Sequence, residues 1–348
     1  MSGSLTSELT VDLGALSRNW RKLDQMVGPD CQAAAVVKGN GYGCGAGTVG
    51  EVLVNAGVQT FFVAVPDEGA QLRAALGPDP TIYILGGFGL AEAALYTGYD
   101  LRPVLNSAVQ YHAWFSGPAG PAAIQLDTGM NRLGMEADEL VSLGTLSSHV
   151  KLVMSHMGCA DVPGHPVTAH QLAAFREMTA GMTGQKSLSA TAGALLGPDF
   201  HFDMVRIGIG LFGGLPFEDS EPVVQLHAPI IQIRDVAAGE SVGYGASCIV
   251  ERPTRIATLS AGYADGLIRH LSHGACGFIS GQAAPFAGRV SMDLITLDIT
   301  GIDCAPGDMV EILGPHQSID DLARDAGTIG HEILTSLGSR YARRYIGV

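Results

Sequence analysis

Lys38 ends a run of apolar residues and opens a glycine-studded stretch, residues 33 to 45 reading AAAVVKGNGYGCG. Ala33 to Val37 suit a parallel strand buried on both faces. Gly39, Gly41, Gly43 and Gly45 let the backbone that follows take positive φ and approach a ligand closely. Of the four lysines (Lys22, Lys38, Lys151, Lys186), only Lys38 follows such a run. Burial disfavours the charged form of an amine, and a neutral amine can form a Schiff base or carry a proton. The same placement suits a lysine that snorkels from a strand end into water. A glycine loop alone is a weak phosphate-binding signal, so this stretch by itself leaves both uses open.

The elements that must hold Lys38 alternate in type. A short strand at Leu9 to Leu13 is followed by helical spacing of Leu16, Trp20, Leu23 and Val27. Apolar runs then recur at 61–65, 81–87, 101–105, 122–129, 151–158, 187–191 and 204–208, each followed by a loop and, in most cases, helical material. About eight strand-then-helix repeats predict an α/β fold, an N-terminal (β/α)8 TIM-like barrel whose catalytic groups sit at the C-terminal strand ends. Lys38, His156 and Arg206 fall at or near such ends. Beyond Gly214, β-rich runs separated by glycine, proline and aspartate predict a mostly antiparallel β-domain. The expected division is a barrel over 1–217 and a β-domain over 218–348, with the junction near LPFEDSEP at 215–222.

A formal charge of −14 argues against nucleic acid or an anionic membrane as partner, since both require a concentrated basic face. The six cysteines are scattered without a CxxC pair, so neither a zinc site, or any other metal, nor a disulfide framework is expected. No run of 18 apolar residues occurs, and the N-terminus lacks a basic segment leading into an apolar one. A soluble, cytoplasmic protein is expected.

Seven motifs carry a resemblance to a known family: VVKGNGYGCG (36–45), DTGMNRLG (127–134), SHMGCAD (155–161), FDMVRIGIGLFG (202–213), VGYGAS (242–247), AGYADG (261–266) and GRVSMDLITLDI (288–299). In that order and across both halves, they resemble alanine racemase. The resemblance implies a pyridoxal 5'-phosphate (PLP) enzyme acting on a small amino acid, a homodimer with shared active sites. It gives Lys38 the Schiff-base role and makes Tyr244, supplied across the dimer interface, the second catalytic base. Arg206 would face the pyridine nitrogen, with His156 behind it, and these two are the candidate groups for helping the Tyr244 phenol act as a base near neutral pH. Tyr42, Thr191 and the backbone amides of Gly208 and Ile209 would hold the phosphate. Arg132, the Met292 backbone and Asp293 would bind the substrate carboxylate, and Tyr263 matches a tyrosine of the entry corridor.

The chain departs from the family's pattern at three positions. Gln125 stands where many relatives carry a carbamylated lysine, and its amide is expected to accept a hydrogen bond from Arg132 without a carbamate. Ser339 replaces a tyrosine that helps close the pocket in some relatives, which could admit a larger substrate such as serine. Phe212 replaces a common tyrosine. Alternatives are a serine or broad-specificity racemase, a fold-related PLP decarboxylase and a non-catalytic PLP carrier; Arg206 argues against the decarboxylase and the β-domain against the carrier.

Overall fold

The computed structural model describes residues 5–347, so positions 1–4 and 348 of the two expected spans lie outside it. The chain divides into two compact units, Leu16–Leu211 with Pro216–Ser220 and a β-rich unit holding the rest. Its first strand, β1 (Glu8–Asp12), does not open the alternating series. It pairs antiparallel with the long strand Val224–Val236 and parallel with Ala342–Ile346, so the segment up to Ala15 belongs to the β-rich unit. The physical reason lies in its pattern: Leu9 and Val11 are buried between less buried Glu8, Thr10 and Asp12, the alternation of a sheet with one wet face.

The larger unit is built on eight parallel strands among the described residues. They are β2 (Gln32–Val36), β3 (Thr60–Val63), β4 (Thr81–Ile84), β5 (Arg102–Leu105), β6 (Ala122–Gln125), β7 (Val150–Met154), β8 (Gln185–Ser187) and β9 (Met204–Ile207). Their order is β8-β7-β6-β5-β4-β3-β2-β9. β3 and β6 are buried at every position, as expected of strands covered on both faces. The ring closes between β8 and β9: Arg206 N donates to the Ser189 carbonyl at 2.9 Å, and an isolated bridge joins Ala190 to Arg206. β8 is short and polar, and lies just before the 187–191 run expected to form it. Its amide at Lys186 donates to the Asp203 carboxylate at 2.7 Å, and Ser187 Oγ donates to the Met204 carbonyl at 2.7 Å. Side-chain hydrogen bonds thus do at this seam what apolar residues do elsewhere in the ring.

In the β-rich unit, β10 (Val224–Val236) runs through the sheet and pairs antiparallel with β1, Met309–Leu313 and Thr254–Leu259. A two-strand ribbon, Ser241–Val242 with Cys248–Ile249, carries the turn Tyr244–Ala246 at its tip. Beneath it Val242, Val250, Ile256 and Ala287 form a small buried cluster. Among the described residues, no helix is long and apolar enough to cross a membrane.

Candidate active site

β2 ends at Val36, and the backbone after Lys38 winds the unusual way round. Gly39, Asn40, Gly41, Tyr42 and Gly43 all have positive φ (63, 54, 63, 52 and 77°). A left-handed residue with a side chain costs roughly 1–2 kcal/mol, so Asn40 and Tyr42 require compensation. Glu68, on the helix Pro66–Leu76, provides much of it. Its Oε1 accepts from the amides of Gly39 (2.6 Å) and Asn40 (3.3 Å), and its Oε2 from that of Ala64 (2.8 Å). Asn40 Oδ1 accepts from Ala46 N at 3.0 Å. Gly41 cannot be replaced cheaply, since a Cβ there would stand 3.1 Å from the Ala46 backbone. By position alone Glu68 is one of two acids in the first turn of its helix. Hydrogen bonds to a charged group are worth about 1.5–3 kcal/mol, so Glu68→Ala is expected to lower stability by about 2–3 kcal/mol, read by urea denaturation. An unchanged midpoint would show that the turn holds itself.

Lys38 is exposed as a residue, yet burial of its amine is the largest of the effects that lower its pKa. The Arg132 charge lowers it further, and Glu68 opposes both. His156, just past the end of β7, is pulled down to about 3, first by burial and then by the charges of Arg206, Arg132 and Lys38. It is therefore neutral near pH 7 and carries no positive charge in the site. These mutual influences place Lys38, Arg132, His156 and Arg206 in one site at the C-terminal ends of the barrel strands.

Arg206, on β9, is buried. Nη1 donates to Ser187 O (2.9 Å) and Oγ (2.6 Å), and Nη2 to the carbonyls of Ser155 (2.6 Å) and Leu188 (3.2 Å). Burial lowers its pKa to about 9, so the guanidinium stays cationic near neutrality. Among the described residues, no partner takes the Nε–H, which leaves one fixed donor for a ligand.

Tyr42, Thr191, Gly208 and Ile209 gather beside it. Burial raises the Tyr42 pKa to about 12, keeping its hydroxyl a neutral donor. Gly208 comes so close that a Cβ there would lie 2.4 Å from the Tyr42 oxygen, and one on Gly210 would lie 2.7 Å from Thr191 Cγ2. Thr191 Oγ1 accepts from Gly208 N (3.1 Å) and Gly210 N (3.4 Å). A hydroxyl has two acceptor sites and one donor, so its own proton is free to point outward. Gly208 N, expected to face a phosphate directly, here reaches outward through Thr191. Ile209 opens the 3-10 turn Ile209–Phe212, whose first amides have no partner within the turn. Two buried hydroxyls and side-chain-free backbone are a donor set that fits a phosphate group.

Arg132 stands exposed on a loop pinned at both ends. Asp127 Oδ1 accepts from the amides of Gly129 (2.8 Å) and Met130 (2.9 Å), while Met135 N donates to Gln125 O and Asp127 N to Met135 O. Gln125 does not accept from Arg132 as expected. Its Nε2 instead donates to the Leu133 carbonyl at 3.1 Å, so the amide braces the chain one residue beyond the arginine.

Tyr244, Met292 and Asp293 lie in the β-rich unit. Tyr244 is 72% exposed and Met292 54%. Asp293 is ion-paired with Arg340 Nη1 at 2.7 Å, and Arg340 also grips buried Asp265 through two bonds of 2.6 and 2.8 Å. Tyr263 N and Ala264 N donate to the carbonyls of Ser291 and Met292, so the AGYADG and VSMD segments are locked together. Arg340 is the fastening. Ser339, directly before it, is exposed.

Residues 11–216 match the family described as alanine racemase, N-terminal domain, and residues 223–345 that described as alanine racemase, C-terminal domain. The chain is 52% identical over 345 residues to the alanine racemase of Dinoroseobacter shibae, covering 98% of this chain and 99% of that one. It is 51% identical over 343 residues to that of Cereibacter sphaeroides, covering 98% of each. A crystal structure of alanine racemase from Bartonella henselae with covalently bound pyridoxal phosphate superposes with a TM-score of 0.94 at 39% identity, covering 99% of this chain and 100% of that one.

Proposed function

The chain belongs to the alanine racemase family, and from that premise we propose that it interconverts L- and D-alanine with pyridoxal 5'-phosphate, as a homodimer whose sites take Tyr244 from the partner subunit. The observation that carries this reading is the amine of Lys38, held at a strand end by a left-handed turn and depressed in pKa beside Arg132. Lys38 would hold the cofactor covalently, Tyr42, Thr191 and Ile209, with Gly208 N backing Thr191, would hold its phosphate, and Arg206 and His156 would hold its ring. When bound, the cofactor supplies an electron sink for the pair left at the substrate's Cα.

The protein's residues decide what becomes of that charge. A cationic guanidinium can only donate, so Arg206 would leave the cofactor's ring nitrogen unprotonated and would limit how much charge it accepts. Returning a proton to Cα is then favoured over losing the carboxylate, which also argues against the decarboxylase alternative. Arg132, the Met292 backbone and Asp293 fix the substrate carboxylate. Lys38 Nζ and the Tyr244 phenol act on opposite faces of Cα; one removes the proton and the other delivers one, inverting the centre. A depressed lysine pKa keeps part of the amine neutral and able to take a proton.

Tyr244's exposure supports its use by a second copy, since a base must be enclosed with its substrate to work on it. Six free cysteines, three of them buried, fit a reducing cytoplasm. Mixing inactive Lys38→Ala and Tyr244→Phe proteins tests the shared site. Hybrid dimers would hold one intact site and one doubly broken one, so part of the activity is expected to return. No recovery, despite subunit exchange demonstrated by mass spectrometry, would count against it. Rates on L-alanine and L-serine measured side by side decide whether exposed Ser339 widens the substrate range.

A further inference from the structure

The helix Pro166–Met178 buries Thr168, Gln171 and Phe175, a stripe at helical spacing in which two of three members are polar. Burying an amide is costly unless its hydrogen bonds are made, and Gln171, fully buried, makes them to two loops of the site. Its Nε2 donates to the His156 carbonyl at 3.0 Å and reaches Thr128 Oγ1 at 3.4 Å, while its Oε1 accepts from Gly158 N at 2.9 Å. One turn earlier Thr168 Oγ1 donates to the Cys159 carbonyl at 3.1 Å. From Thr128 the chain of contacts continues to Ser155 Oγ at 2.8 Å, and the Ser155 carbonyl accepts from Arg206 Nη2 at 2.6 Å.

We infer that Gln171 is a positioning residue, whose amide fixes the loop carrying Arg132 relative to the loop carrying His156, and through Ser155 ties both to Arg206. The inference rests on the racemase reading for the roles of those residues, but its geometry does not. A planar amide with a donor aimed at one loop and an acceptor aimed at its neighbouring amide sets distance and orientation together. An apolar side chain of the same length would fill the space and set neither. Because productive geometry is steep in distance, a shift near 1 Å at Arg132 costs about 10²-fold.

The test compares wild-type holoenzyme with Gln171→Met and Thr128→Val. In Gln171→Met, the KM for L-alanine is expected to rise about 10- to 100-fold, and the long-wavelength absorption of the bound cofactor to shift as His156 moves. Thr128→Val removes both contacts of the Arg132 loop, to Gln171 and to Ser155, but keeps the two bonds of Gln171 to the His156 loop, so KM should rise with a smaller absorption shift than in Gln171→Met. It also serves if Gln171→Met does not fold. A lower melting temperature with wild-type KM and absorption in either folded variant would overturn the inference, leaving Gln171 a core residue. Wild-type protein without racemase activity would sink the functional reading alone, since the absorption shift in Gln171→Met is read without turnover.

Discussion

Replacing Lys38 with alanine is expected to remove both the covalent hold on the cofactor and one of the two bases, lowering racemisation by at least the roughly 10²- to 10⁴-fold that a single general base is worth. Added methylamine should restore part of the loss by standing in for the missing amine. In the wild-type protein, borohydride should fix the cofactor on the chain, and peptide mapping should place the added mass on Lys38. Competing lysines are poorly suited: Lys22 and Lys151 lie at exposed sites where they donate to the carbonyls of Asp219 and Ser148. An adduct on Lys22, Lys151 or Lys186, or full activity in Lys38→Ala, would overturn the assignment.

Tyr244→Phe should lower racemisation by about 10²- to 10⁴-fold in both directions. The equilibrium constant between enantiomers is fixed near one, and each direction needs both faces served. Half-reactions need not fall together. With Lys38 assigned to the D-enantiomer and Tyr244 to the L-enantiomer, exchange of the Cα proton in heavy water should persist for D-alanine in the variant and collapse for L-alanine. The reverse pattern would exchange the two roles, and equal exchange of both would remove Tyr244 from the chemistry.

The strand-loop character of 33 to 45 was legible because it is local. An apolar run must be buried, and glycines every second residue permit left-handed backbone, as residues 39 to 43 adopt. The barrel was legible for a related reason, since fully buried strands carry a continuous apolar signature; β8, with its polar QKS, does not and was placed a few residues late. The first strand, counted within the span expected for the barrel, pairs in the β-rich unit, because pairing is a non-local choice. Its alternating burial is visible in the sequence, but β10 and Ala342–Ile346, which it joins, lie more than 200 residues away.

By itself the sequence determined which residues carry reactive groups and which local conformations they can adopt: an amine after a buried run, a phenol between glycines, an arginine ending a strand. Tertiary structure decided what those groups feel and what holds them. Charge and burial act over distance in space, so the depressed pKa of Lys38 and the neutrality of His156 follow from neighbours that the fold gathers. Hydrogen bonds are directional and short. Only the folded chain could therefore turn Glu68, Gln171 and Arg340, ordinary residues in the sequence, into the clamps of the Lys38 turn, the Arg132 and His156 loops and the Met292 segment.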